Sequence, residues 1–234
     1  MRLDVEFIKN TFVAVLTGVP VTLKLIFVVL LFSIPIGFFV AIVRMKRVGV
    51  GSKLLSIYVS FIRGTPPMVQ IYLLYNALPV VVGRYFQEKG IDFNIYGIKG
   101  ITYAYVILTL TYIAIMSESF RGGLSAIDKG QMEAAKAIGL STFQGYYRIV
   151  IPQALVHVLP ILCNNVTGLV KMTSLVFAMS VFDITAIAKT EGAKHTTYVE
   201  AYLIIAIMYI VLNLLIELFF KQMEKRIRRF HAFT

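Results

Sequence analysis

Residues 25–43 read LIFVVLLFSIPIGFFVAIV, nineteen consecutive positions without Asp, Glu, Lys or Arg. A helix rises about 1.5 Å per residue, so this stretch alone nearly crosses the ~30 Å hydrocarbon core of a bilayer. Further along the chain, 54–83 carries only Arg63, while 100–117 and 149–170 carry no Asp, Glu, Lys or Arg. A last run, 201–216, lengthens through Leu218, Phe219 and Phe220 if Glu217 faces other helices rather than lipid. Composition agrees: 58% of the 234 residues are hydrophobic and 15% charged, with a mean hydropathy of +0.79, outside the usual range of a soluble domain. The expected fold is an all-α membrane protein with five transmembrane helices.

Charge placement orients those spans. With the N-terminus outside and the C-terminus cytoplasmic, the inner segments 44–53, 121–148 and 221–229 collect thirteen Lys and Arg. The outer segments hold eight, nearly offset by seven carboxylates, as the positive-inside bias requires. The run 172–182 is apolar but too short to cross and reads as re-entrant or interfacial. Counting it as a sixth span would put the basic tail outside. The net charge of +11 does not point to nucleic acid, because Lys and Arg flank apolar runs instead of sharing one face. Residues 1–10 mix Arg2, Asp4, Glu6 and Lys9 without a signal-peptide pattern, so the first apolar segment is expected to stay in the membrane. A single cysteine, Cys163, excludes an intramolecular disulfide framework, and no metal site is expected.

Residues 117–148 form the longest stretch between spans, and their punctuation predicts two short helices. Asp128 can cap the first, with Gln131 at its third position and Gly139 taking the left-handed residue after its end. Ser141 with Gln144 forms a capping-box pattern opening 142–150, before Pro152. Ala134 and Ala135 let another surface approach the first helix closely. That suits a docking element, although an ordinary hairpin covering the span ends reads equally well from these signals.

Polar groups inside spans are costly unless they face a partner or a water-filled cavity. Asn164, Asn165, Thr173, Ser174 and Glu118 are therefore candidates to line a solute route, as is Thr65 in the Arg63-Gly64-Thr65-Pro66-Pro67 break. Each has an alternative. Asn and Thr also hold membrane helices together by hydrogen bonds, and Glu118 can pair with a neighbouring Arg. The two prolines should break or kink the second span, as a hinge or as a loop before a shorter span. His157 lacks a carboxylate partner and is assigned no role; Tyr72, Tyr75, Tyr103 and Tyr105 fit interfacial anchors. An ion-gradient-driven secondary transporter is the main alternative, weakened by the absence of internal repeats and of carboxylates at span centres. An enzyme is disfavoured because no H-E-x-x-H, G-x-S-x-G or carboxylate cluster occurs.

Glu133-Ala134-Ala135, Gly139 and Ile149-Val150-Ile151-Pro152 together resemble the E-A-A, G, I-x-L-P loop of permease subunits of bacterial ABC importers, with Ile151 where Leu is usual. Residues 117–124 (SESFRGGL), 61–66 (FIRGTP) and 171–175 (KMTSL) are similar to the polar amino acid branch of that family, with a slighter likeness to cystine permeases. The resemblance implies a single transmembrane domain, 1–234, with its core at about 17–224 and a coupling loop at 117–152. It implies a coupling helix at 131–140, in which Gln131, Glu133, Ala134, Ala135, Gly139 and Leu140 meet an ATPase subunit. It further implies two ATPase subunits, a second permease copy or a paralogue, an extracellular solute-binding protein and an amino acid substrate, all in a lipid membrane and without nucleic acid. This chain has no G-x-x-x-x-G-K-[ST] loop, so ATP and magnesium would be held by the ATPase partner, with no cofactor here.

Overall fold

The computed structural model describes residues 3–47, 49–92 and 94–231, and the side chains only as far as 227. Arg2 and the side chains of Arg228 and Arg229, all used in the charge count, lie outside the described residues. No strand occurs among the described residues.

The carboxylate of Asp4 accepts from the Phe7 N–H at 2.9 Å and caps α1 (Val5–Leu16), a helix not anticipated in the mixed charges of 1–10. Its buried Phe7, Thr11 and Val15 recur every fourth residue. After a turn at Thr17 and Gly18, α2 (Val19–Met45) starts with Pro20 in its first turn, where the missing N–H is tolerated. Next comes α3 (Gly49–Gly64).

Here the second span breaks, as the two prolines predict. The expected span 54–83 is two pieces, α3 and the helical stretch Pro67–Glu88, which meet at 111°. Among the described residues, four helices are thus long and apolar enough to cross a membrane, or five if the bent pair counts as one. The cause is local: Pro66 is held extended (φ −61°, ψ 137°), and Pro67 cannot donate into a continuing helix. Beyond the break, α4 (Pro67–Tyr72) passes through a wide π turn at Leu73–Ala77 into α5 (Leu78–Glu88).

The long α6 (Gly100–Ser125) continues eight residues past the expected end at 117. It is followed by α7 (Lys129–Ala137), α8 (Thr142–Gly145), a second π turn at Tyr146–Val150, and α9 (Ile151–Thr173). The second cytoplasmic helix expected to stop before Pro152 instead runs on into the membrane segment. Both π turns lie directly before a proline in the first turn of the next helix, Pro79 and Pro152, where a residue without an N–H cannot complete the regular ladder. As expected, 172–182 does not cross: α9 ends, Ser174–Met179 tightens into a 3₁₀ turn, and Ser180 adopts φ +57°. The chain closes with α10 (Ile184–His195) and α11 (Tyr198–His231).

The core is built around α6, whose Ala104, Leu108, Ala114 and Met116 are fully buried. Two absent side chains set its spacing. A β-carbon at Gly37 would stand 2.7 Å from Met116 Cβ, and one at Gly100 would stand 1.8 Å from the Met179 carbonyl oxygen. Gly100→Ala must therefore push α6 off the 3₁₀ turn and should cost about 3 kcal/mol. Gly122→Ala, with no atom within 4 Å, should be neutral or slightly stabilising. Thermal denaturation of the two variants in detergent checks the contrast.

Candidate functional site

Two regions bring the sequence candidates into view: the α7–α8 hairpin at one end of the bundle, and polar groups embedded in α6, α9 and α11.

In the hairpin, Asp128 caps α7 by accepting from the Gly130 N–H at 2.6 Å. Gln131 does not complete a capping box. Its side-chain oxygen accepts from Gln153 Nε2 at 3.1 Å and ties α7 to the start of α9. At the other end Gly139 stands at φ +85°, with its own N–H donating to Lys136 and the Leu140 N–H donating to Ala135, both at 3.0 Å. This double closure is the left-handed helix stop the sequence predicts. Ser141 and Gln144 form the expected reciprocal box. Ala135 is buried beside Gly145, with Met132 below it against Leu124, Val150 and Ala154. Glu133, Ala134 and Gly139 face outward, and Ile138 is 76% exposed. Phe143 (79% exposed) stacks on Tyr147 with rings 2° from parallel. The hairpin therefore has one side fastened to the bundle and one side in solvent, where Ile138 and Phe143 are exposed together with Glu133 and Lys136.

The six embedded candidates fall into four separate settings. Glu118 pairs with Arg44 at 2.6 Å and Arg121 at 2.7 Å, with Arg63 at 3.6 Å, so α2, α3 and α6 converge on one carboxylate. Thr65 accepts from Gln70 Nε2 at 2.8 Å, and Gln70 in turn accepts from Thr111, which fastens the broken span to α6. Asn165 donates to Ser119 Oγ at 2.7 Å between α9 and α6, whereas the neighbouring Asn164 is exposed in a cleft between α9 and α11. Thr173 is fully buried within 3.3 Å of the Tyr209 hydroxyl, and Ser174 donates to the Lys171 carbonyl. Among the described residues, no group of three or more His, Cys, Asp or Glu is placed to hold a metal ion.

Sequence reasoning missed the residues that complete these settings, namely Arg44, Gln70, Thr111 and above all Asp183. Counted among outer charges, Asp183 is in fact 0% exposed. One oxygen caps α10 by accepting from the Ala186 N–H at 2.8 Å, and the other accepts from the Tyr209 hydroxyl at 3.1 Å, which also meets Thr185 at 3.0 Å. Its position three residues before Ala186, at the start of a helical run, was the readable signal.

Burial pushes the Asp183 carboxyl up to about 6, against the pull of the Ala186 N–H and the Tyr209 hydroxyl. The folded chain thus holds this proton more tightly than the unfolded chain. The stability it contributes is full below about pH 4 and is lost as pH rises through about 6, a loss of about 3 kcal/mol. Asp183→Asn keeps the cap and should flatten the fall in melting temperature between pH 4 and 7; parallel profiles would remove Asp183 from that role. Glu118→Gln leaves three guanidinium groups unopposed and should cost about 2 kcal/mol, against under about 1 kcal/mol for Arg63→Gln at the longer, more exposed contact. Thermal denaturation measures both.

Residues 33–229 match the family described as binding-protein-dependent transport system inner membrane component. The probable amino-acid permease protein YxeN of Bacillus subtilis is 33% identical over 230 residues, 97% of this chain and 98% of that protein. The L-cystine transport system permease protein TcyL of the same organism is 36% identical, covering 93% and 89%. Among solved structures, a chain of an amino acid ABC transporter with histidines superimposes with a TM-score of 0.81 at 28% identity, covering 97% and 100%. A chain of the inward-facing MetNI methionine ABC transporter shares the fold at a TM-score of 0.72 and 20% identity, covering 91% and 95%.

Proposed function

We infer the work of this chain from its lineage: it belongs to the inner membrane components of binding-protein-dependent transport systems, and it is a multi-pass permease subunit of an ABC importer in the plasma membrane. The ion-gradient alternative falls with that assignment. ATPase subunits and a binding protein are the partners the family implies.

The finer reading is a proposal. The solute is an amino acid or similar polar molecule delivered by an extracellular binding protein, in keeping with the names of the relatives. Two ATPase subunits hold the ATP and magnesium, a second permease copy or a paralogue completes the pathway, and this chain carries no cofactor. The N-terminus lies outside and the C-terminus in the cytoplasm, supported by the thirteen inner Lys and Arg. The whole chain acts as one domain, with its core at about 17–224 and its coupling loop at 117–152. Thr65, Glu118, Asn164, Asn165, Thr173 and Ser174 belong to the pathway region, Glu118 and Thr173 as residues that hold its walls.

The observation that carries the coupling assignment is the two-sidedness of the hairpin. Glu133, Ala134, Gly139 and Ile138 are open to a partner, while Ala135 and Met132 are packed and Gln131 is bonded to α9. Leu140 closes the turn. A push on the open side reaches α9 through the fastened side without passing through solvent.

Gly139→Val tests this directly. Nothing lies within 4 Å of its missing β-carbon, so the expected damage is backbone strain of about 1–2 kcal/mol in a left-handed turn, enough to loosen the hairpin while membrane insertion stays intact. ATP hydrolysis should continue with uptake reduced severalfold; normal uptake would exclude the coupling role. Glu133→Lys should weaken recovery of the ATPase with the permease. Mild-detergent purification from native membranes, with mass identification of the bound subunits, reads that result and the composition of the wild-type complex.

A further inference from the structure

Two openings meet where the bundle joins the hairpin. The first, between α2, α6 and α9, holds roughly 300 Å³, and every residue lining it is apolar, Phe38 and Ala154 among them. Buried Phe120 backs it, edge-on to Phe38 with ring centroids 5.4 Å apart. Ile34, Pro35 and Leu155 line it as exposed residues. The second opening, roughly 440 Å³, lies between the end of α2 and α7. Its lining includes apolar side chains such as Met45 and Ile127, and the charged Asp128, Lys129, Glu133 and Lys136.

The two form one tract. Leu124 lines both, and Val150 of the second directly precedes Ile151 of the first. Along α2 the tract runs from Ile34 to Met45, about 17 Å of helix. That is close to the ~15 Å that one leaflet contributes to the hydrocarbon core. Its chemistry divides at the same point. The first part offers nothing to a polar solute, whereas the second has cations to spare. Lys129 and Lys136 make no ion pair among the described residues, and Lys46 and Arg47 follow Met45 directly. Asp128 is occupied as the cap of α7, which leaves Glu133 against two lysines in the lining.

We propose that this tract holds one anionic phospholipid of the inner leaflet, with an acyl chain against Phe38, Ala154 and Leu155 and its phosphate between Lys129 and Lys136. This rests on the cytoplasmic placement of the hairpin given above. A free phosphate would meet the same lysines and leave the apolar groove uncovered; a phospholipid satisfies both parts with one molecule. Basic side chains at headgroup level attract anionic lipid, and Tyr146, which also lines the second opening, is a residue type suited to the interface. Seated there, the lipid fastens α7 to the end of α2, in addition to the Gln131–Gln153 tie between α7 and α9.

The probe is phosphatidylglycerol with a diazirine on one acyl chain, added to phosphatidylcholine bilayers that hold the full transporter. After illumination, labelled peptides should come from 34–38 and 151–158. Lys129→Gln and Lys136→Gln should each lower that labelling roughly fivefold, and Lys53→Gln, exposed on α3, should leave it unchanged. Labelling no stronger there than along the exposed row Val50, Leu54, Ile57 and Phe61 of α3 is ordinary annular contact and overturns the site. Equal labelling by a diazirine phosphatidylcholine, or full labelling in both lysine variants, overturns the anionic headgroup. Loss of label on adding soluble glycerol phosphate gives the lysines to a free phosphate ester and overturns the lipid. The orientation is tested apart from the site. In Cys163→Ser cells, Lys136→Cys should resist a membrane-impermeant maleimide added outside. Modification from outside sinks the orientation, whereas protection combined with diffuse lipid labelling sinks the site alone.

Discussion

Everything in this bundle is spaced by how closely α6 lets its neighbours approach. At Gly37 the backbone of α2 comes within van der Waals reach of Met116, and at Gly100 the start of α6 sits under the Met179 carbonyl. In hydrocarbon there is no water to drive helices together, so close backbone contact through small residues supplies much of the cohesion. With α2 and the 3₁₀ turn fixed against α6, the polar side chains fall within reach of one another. Arg44 meets Glu118, Thr111 meets Gln70, and Ser119 meets Asn165.

Those polar pairs share one physical logic. Each joins two segments that apolar packing alone would leave free to slide, and each buries a group that would be costly against lipid. The Glu118 cluster pulls the end of α3 toward α6 just before the 111° break, and Gln70 grips the other side of the same break. The interruption at Pro66 and Pro67 is thus clamped on both flanks, as non-helical backbone at membrane depth must be.

Much of this was legible in the sequence because it is written in local chemistry. The apolar runs, the Ser141–Gln144 box, the left-handed Gly139 and the break before Pro67 all depend on residues within a few positions of one another. The short α1 was missed because its buried residues sit among charges, and the continuation of 142–150 into α9 because Pro152 reads as a stop when it follows regular helix. Long-range pairings were not legible for a different reason. That Arg44 would meet Glu118, or that Asp183 would be wholly buried beneath Tyr209, depends on how far helices distant in sequence are rotated about their own axes, which no short window encodes. The same limit explains the pathway candidates: residue type alone marked six polar positions, and the fold sorted them into clasps such as Thr173 and an open group such as Asn164.

The π turn at Tyr146–Val150 sets an angle as well as making room for a proline. A wide turn is one residue more than a regular helix needs, and each residue of an α-helix is about 100° of rotation. Everything N-terminal to it, α7 included, is therefore turned by roughly that angle relative to the face that α9 presents in the membrane. Pro152 keeps the turn from annealing into regular helix, because it has no N–H to give. The compass bearing of the hairpin is in this way stored in a single surplus residue, so that deleting one position from 146–150 would leave every helix of the bundle intact and aim the hairpin at the wrong quarter.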